Sequence, residues 1–364
     1  MLSNLFALLV WASASSASGP STEPAPKAAE KKRAIPKRGK RGKRGKGSKR
    51  RMPGKSGKGS NPANSLSFQG SVSNLSMLLS RGRYRQAMME TTRQLAESPL
   101  DPDLHASRAV CCSEFGDYPC VQASLDLATG SEALPMQTVV AEADALRFLG
   151  EPEAAARIRR ELVVSNPRPK RELATLTRLF GDHKQAGNLE GMWEVALESV
   201  ALQDGTGVGY ALLARTYAVM GDLDEAEAWI WIGYREPNPS SALAVAEAEV
   251  LMAAGETRAA VEVTDALRRK VLRNRALTAV RGRALLSDGE LQAAVDMLDL
   301  RSWYLGDELW HPDLIAVQAV VFAHNGWEAP ALDQIERLES AYSGYPAAAA
   351  AAQEARDILA GTTP

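Results

Sequence analysis

Aromatic side chains are scarce in this chain of 364 residues: seven Trp, eight Tyr and six Phe make up 6% of it. A β sandwich or barrel builds its core largely from aromatic and β-branched residues, so this scarcity argues against an all-β fold. Cysteine is scarcer still. Cys111, Cys112 and Cys120 are too few for a disulfide-framework domain. All three fall in one predicted helical hairpin. They read as small buried residues between helices, or as a Cys120 bridge to Cys111 or Cys112 made in an oxidising compartment. The four histidines are scattered and no CxxC occurs, so no metal site and no cofactor are assigned. No catalytic constellation is present either. His183 adjoins Asp182, but no nucleophile has a defined relation to them, and the pair reads as polar side chains facing solvent in an irregular repeat.

The 45% apolar fraction is carried by Ala and Leu, which suits close-packed helices. A net charge of −1 hides a sharp division. Residues 1–65 hold sixteen Lys and Arg against two acids, a net of +14, whereas the rest hold 27 bases and 42 acids, a net of −15.

Residues 1–19 resemble a secretory signal, with an apolar core Leu5–Trp11 followed by the small residues Ala12, Ser13 and Ala14. No Lys or Arg precedes that core, and Lys27, Lys31, Lys32 and Arg33 follow soon after it, where positive charge resists translocation. Cleavable export to the periplasm or cell envelope, an uncleaved anchor and a cytoplasmic chain without a signal all stay open. No Cys stands near the end of the core, which argues against a lipoprotein. Residues 20–65 are low-complexity Lys, Arg, Gly and Pro, and are expected to be a disordered basic linker, since almost nothing apolar offsets the entropy of ordering. Pro53-Gly54-Lys55-Ser56 is no phosphate loop, because Lys49 stands where the first glycine would be. Gly205-Thr206-Gly207-Val208-Gly209 follows no strand and reads as a linker.

From residue 66 to 345 the pattern is helical and periodic. Glycines recur at Gly82, Gly116, Gly150, Gly187, Gly221, Gly255, Gly289 and Gly326, at intervals of 34, 34, 37, 34, 34, 34 and 37. Five residues after each stand Ala87, Val121, Ala155, Met192, Ala226, Ala260, Ala294 and Ala331. Seven before them are mostly small residues such as Ala109, Ala143, Ala214 and Ala248, and four before them mostly larger ones such as Leu146 and Tyr217. Small residues let two antiparallel helices approach, and glycine ends the first of them in a left-handed turn.

This register resembles the tetratricopeptide repeat family, with Ala214, Tyr217, Gly221, Leu223 and Ala226 as the best match. The resemblance implies an all-α fold: an α–α superhelix, a right-handed solenoid of about eight hairpins behind the basic segment, with residues 346–364 as a capping helix and tail. Unit four departs from the pattern at Phe180, His183 and Met192. Insertions there and at Trp303–Trp310 predict longer loops or altered pitch.

In the family the first helix of each hairpin lines a concave groove. By register the inward row would be Ser76, Val110, Asp144, Gly181, Arg215, Glu249, Arg283 and Val320, beside Ala211, Val245, Ala279 and Ala316. That implies a semi-apolar groove with alternating charge at Asp144, Arg215, Glu249 and Arg283, fit for a protein or peptide partner. Trp193, Trp229, Trp231 and Tyr234 read as packing within the array, with any exposed remainder marking a protein contact. The basic segment, residues 27–58, suits an anionic membrane or envelope surface better than nucleic acid if the chain is exported. The expectation is a non-enzymatic scaffold for protein partners with no small-molecule substrate; the alternative is a non-exported adaptor whose basic segment binds nucleic acid or an acidic protein.

Overall fold

Proline and small polar caps start helices and glycine ends them, and the pattern is repeated along the chain. A computed structural model describes residues 69–165, 169–267, 274–305 and 311–361. The expected signal, the basic segment and the end of the second insertion lie outside these residues. All seventeen described helices belong to one unit, Ser65–Pro364. They form eight hairpins and a last helix. The first four hairpins are α1 (Gln69–Ser80) with α2 (Tyr84–Glu97), α3 (Pro102–Phe115) with α4 (Tyr118–Leu127), α5 (Pro135–Leu149) with α6 (Pro152–Ser165), and α7 (Pro169–Gln185) with α8 (Leu189–Ala201). The next four are α9 (Val208–Met220) with α10 (Leu223–Tyr234), α11 (Ser241–Ala253) with α12 (Thr257–Asp265), α13 (Arg275–Ser287) with α14 (Leu291–Leu305), and α15 (Pro312–His324) with α16 (Glu328–Ala341). Helix α17 (Pro346–Leu359) closes the series. Among the described residues there is no strand.

Each hairpin turns on one of the eight periodic glycines, and all eight have positive φ, from 67° at Gly82 to 107° at Gly150. The residue after the turn often caps the next helix. Asp117 accepts from Cys120 N at 3.1 Å, Asn188 from Gly191 N at 2.9 Å and Asp222 from Glu225 N at 3.3 Å. The alanines in register are fully buried, namely Ala87, Ala155, Ala226, Ala260, Ala294 and Ala331 on second helices and Ala214 on a first. Tyr217, at the larger position, fills the gap beside them. Each described hairpin lies against the next, so the fold is the tetratricopeptide-like α–α solenoid that the repeat implied.

The departures of unit four are absorbed inside the array. Helix α7 runs to 17 residues, against 13 in α9, so the insertion is taken up as helix and not as a longer loop, the first of the two expectations for it. Phe180 and Met192 are buried core, and Gly191 leaves the space that the His183 ring occupies. Residues 205–207 do lie in an inter-hairpin linker, whereas Val208 and Gly209 already belong to the first turn of α9. Gly207 begins α9 at φ 74°, and Gly205 O and Thr206 O accept from Asn238 N and Ser240 N of the next linker at 3.1 and 2.9 Å.

The series also returns on itself. The turns at Gly116 and Gly150 touch the linker before α15 and the linker before α17, nearly 200 residues further along the chain. Tyr342 Oη donates to Gly116 O at 3.2 Å. Tyr118 stacks on Phe148 at 4.5 Å between ring centroids, and His311 and Tyr345 meet Phe148 edge-on at 4.9 and 5.2 Å. One hydrophobic cluster therefore runs from Ala109 to Phe148 and on to Ile315–Ala355.

Candidate functional site: the charged concave face

The first helices of all eight hairpins carry the inward row, and the packing of hairpins three to seven decides what its centre can offer. Ala211, Val245, Ala279 and Ala316 are all buried, because consecutive first helices lie side by side and cover them; Ala279, for example, sits on Leu314 of α15. Val110 and Val320 are buried as well, while Ser76 is exposed. The expectation of a semi-apolar groove is thus corrected. What remains accessible at the centre is charged.

Arg215 and Glu249 hold the same register one repeat apart and pair across α9 and α11, with Nε to Oε2 at 2.6 Å and Nη2 to Oε1 at 3.1 Å. Lys184 Nζ reaches the same Oε2 at 3.7 Å. Burial alone would raise the Glu249 carboxyl, but Arg215, Lys184 and Arg283 bring it below the ordinary carboxylate value. Lys184 is held below its ordinary value by Arg215 first, then by burial, with Arg283 and Arg147 adding to the repulsion. Arg147, Lys184, Arg215 and Arg283 therefore share one field, in which Glu249 pairs with Arg215 and Lys184 and Asp182 lies beside Arg147. Lys184 and Arg283 are exposed, and Arg147 and Arg215 are half-buried.

Asp144 does not face the groove as a free acid. Its Oδ2 accepts from Ser113 Oγ at 3.2 Å and its Oδ1 pairs with Arg159. Arg159 is only 1% exposed and also holds both oxygens of Asp182. Asp182 is fully buried, which corrects the reading of that residue as a solvent-facing side chain: α6 brings Arg159 onto α7 at this point. Burial pushes Asp182 up to about 6, against the pull of Arg159 and Arg147. Arg147 completes the group, with Nε at 3.8 Å from Asp182 and 3.3 Å from Gln185 Oε1, and its guanidinium lies 4.8 Å from the Phe148 ring centroid.

Arg147, Lys184 and Arg159 escaped the sequence reading. The first two stand three residues before their glycines, where other units place residues such as Leu79, Ala218 and Met252, and that substitution of charge for apolar side chain was a usable signal. Arg159 carried none, because its partners come from two other helices. The structure joins Cys112 to Cys120, one of the two bridges left open (Cα–Cα 5.9 Å), and leaves Cys111 a buried thiol pushed up to about 12 by burial. On the second helices Trp193 meets Tyr217 edge-on, and Trp229 stacks on Tyr210. Tyr234 donates to Glu247, whereas Trp231 is the exposed remainder, at 61%. Among the described residues no group of three His, Cys, Asp or Glu could hold a metal.

An array of tetratricopeptide-like hairpins with a charged inner face is the class that this fold and site define. No family model matches the chain, and no curated protein sequence is significantly similar to it. Among solved structures it is similar to the anaphase-promoting-complex Cut9–Hcn1 hetero-tetramer (16% identity, TM-score 0.41, over 80% of this chain and 57% of that one). It is also similar to Naa15/Naa10 bound to HypK-THB (10%, 0.30, over 80% and 55%) and to the P58(IPK) TPR domain (11%, 0.26, over 81% and 99%). The chain thus spans little more than half the length of the first two.

Proposed function

We propose that this protein is a non-enzymatic scaffold that holds an extended, acidic segment of a protein partner against its concave face. The observation that carries the reading is the shared field of Arg147, Lys184, Arg215 and Arg283, in which Arg215 and Lys184 pair with Glu249 while Lys184 and Arg283 stay exposed. An acidic strand laid there would face Lys184 and Arg283, neither of them closer than 3.7 Å to any acid among the described residues. Export to an envelope compartment, with residues 27–58 on an anionic surface, is part of the same reading. Its support is the apolar core Leu5–Trp11, the sixteen basic residues before position 66 and a cysteine pair placed to bridge.

The test is fluorescence anisotropy with a labelled Glu-rich peptide of about ten residues, long enough to cross several repeats at roughly 3.3 Å per residue. Binding should weaken with salt, and Lys184→Glu with Arg283→Glu should weaken it by about tenfold or more, which is a loss of about 1.4 kcal/mol. Equal affinity of the wild-type and double-variant proteins would sink the concave-face reading.

A further inference from the structure

Of the eight hinge glycines, two have a second task. A Cβ at Gly187, Gly221, Gly255, Gly289 or Gly326 would meet nothing within 4 Å, and one at Gly82 would meet only the Tyr84 ring at 3.7 Å. A Cβ at Gly116 would lie 2.9 Å from His311 Cα, and one at Gly150 would lie 2.7 Å from Gly344 Cα. From the other side, a Cβ at Gly344 would lie 2.5 Å from Leu149 O. Gly344 is not among the residues with positive φ, so its glycine answers to close approach alone. Hairpin turns form one edge of a repeat ribbon and inter-hairpin linkers form the other. A contact of turns two and three with the linkers before α15 and α17 therefore joins opposite edges of the ribbon.

The Cys112–Cys120 bridge brackets the turn that makes this contact. Cys112 O accepts from both Gly116 N and Asp117 N, at 2.9 and 3.0 Å. Gly116 O in turn accepts from Tyr342, and Tyr118 supplies the ring at the centre of the seam. The bridge thus ties the last turn of α3 to the first turn of α4 on either side of the residues that touch His311 and Tyr342.

We propose that this seam is a latch over the concave face and that the Cys112–Cys120 disulfide holds it shut. Bridged, the turn at Gly116 keeps the shape that seats on His311 and Tyr342, and a partner segment reaches the inner face only through the ends of the solenoid. A dithiol reductant opens the latch. Its thiolate attacks the partly exposed Cys120 Sγ, the S–S bond breaks, and Cys112 Sγ leaves as a thiolate and takes a proton. The second thiol then displaces Cys120 and closes the reductant to its own disulfide, so two electrons and two protons pass to the protein. Cys111, buried and poorly ionised, takes no part. Lateral access then becomes available to the basin of Lys184 and Arg283. That consequence for binding rests on the concave-face reading; the latch itself does not.

The test places donor and acceptor dyes, through ketone-bearing residues that thiols leave alone, at the exposed positions Ala123 on α4 and Glu336 on α16, which flank the seam. Single-molecule transfer is read in the full chain before and after a dithiol reductant. Gly344→Ala serves as a seam-breaking variant that leaves the bridge intact, and Gly221→Ala as a hinge variant away from the seam. The expected result is one high-transfer population in the oxidised wild type and in Gly221→Ala. That population should be lost on reduction and in Gly344→Ala, with far-UV helicity kept. High transfer persisting in reduced protein while Gly344→Ala loses it would show a seam independent of the bridge, and the proposal falls. It falls also if Gly344→Ala keeps high transfer, or if reduction removes the helical signal. Failure of the acidic peptide to bind any of these forms would overturn the concave-face reading and leave the transfer result standing.

Discussion

His311 shows at residue scale how one side chain takes several tasks from its surroundings. Its Nδ1 accepts from Asp313 N at 3.3 Å and so caps α15, while its ring meets Phe148 and Tyr118 edge-on in the seam. Burial holds it down to about 4; Asp313 and Asp144 oppose this, and Arg275 and Arg147 reinforce it. A base whose folded value lies below its unfolded value of about 6.5 adds stability that is whole above pH 6.5 and lost as the pH falls towards 4. Between pH 7 and pH 5 the protein should lose about 2 kcal/mol from this group, measured as the shift in urea midpoint. His311→Asn keeps an N-cap acceptor, so its stability should vary less over that interval. An equal slope in the variant would assign the acid sensitivity to other groups.

Among elements, the crossing of α5, α6 and α7 depends on one guanidinium. Arg159 joins Asp144 of α5 to Asp182 of α7, and Arg147 approaches the same Asp182. Removal of the cation leaves a fully buried carboxyl without its main partner, so Arg159→Met should destabilise the fold by roughly 3–5 kcal/mol. Adding Asp182→Leu removes the stranded acid, and the double variant should recover much of that loss in thermal or urea unfolding. A double variant no more stable than Arg159→Met would mean that packing volume, and not charge, dominates the crossing. Nothing in the register of the repeat announced this network. The 34-residue period specifies which positions are small, large or glycine, but Arg159 is a single substitution on a second helix whose two partners lie 15 and 23 residues away in other helices.

At the scale of the whole molecule, closure changes how the array should unfold. An open solenoid has only nearest-neighbour interfaces, and its hairpins fray from the ends with broad transitions. Here the second and third hairpins also touch the last hairpin and α17, so the ends are tied through contacts more than 190 residues apart. Urea unfolding of the wild type, followed by far-UV circular dichroism, should therefore be one steep transition. Gly344→Ala should retain the helical signal yet unfold with a smaller m-value or in two steps, because each half then melts on its own. Identical m-values would mean that the seam adds nothing to cooperativity.

The repeat was legible in the chain because its causes are local: glycine where a left-handed turn is needed, alanine where two helices touch, and a larger residue beside it. Those choices determine eight hairpins and the order in which they stack, and they marked Arg215, Glu249 and Arg283 as neighbours on successive rungs. They did not determine what the inner face offers a partner. Covering Ala211, Val245, Ala279 and Ala316 was the work of helix-to-helix packing, which left a charged basin where an apolar groove was expected. Nor could they show that the ribbon meets its own edge. That depends on the small rotation added at each hairpin and summed over the series, a quantity that no single repeat carries, and on Gly344 and Tyr342, which lie where the period has run out. Gly116 and Gly150 look like their six counterparts in sequence; only the tertiary structure brings another backbone against them.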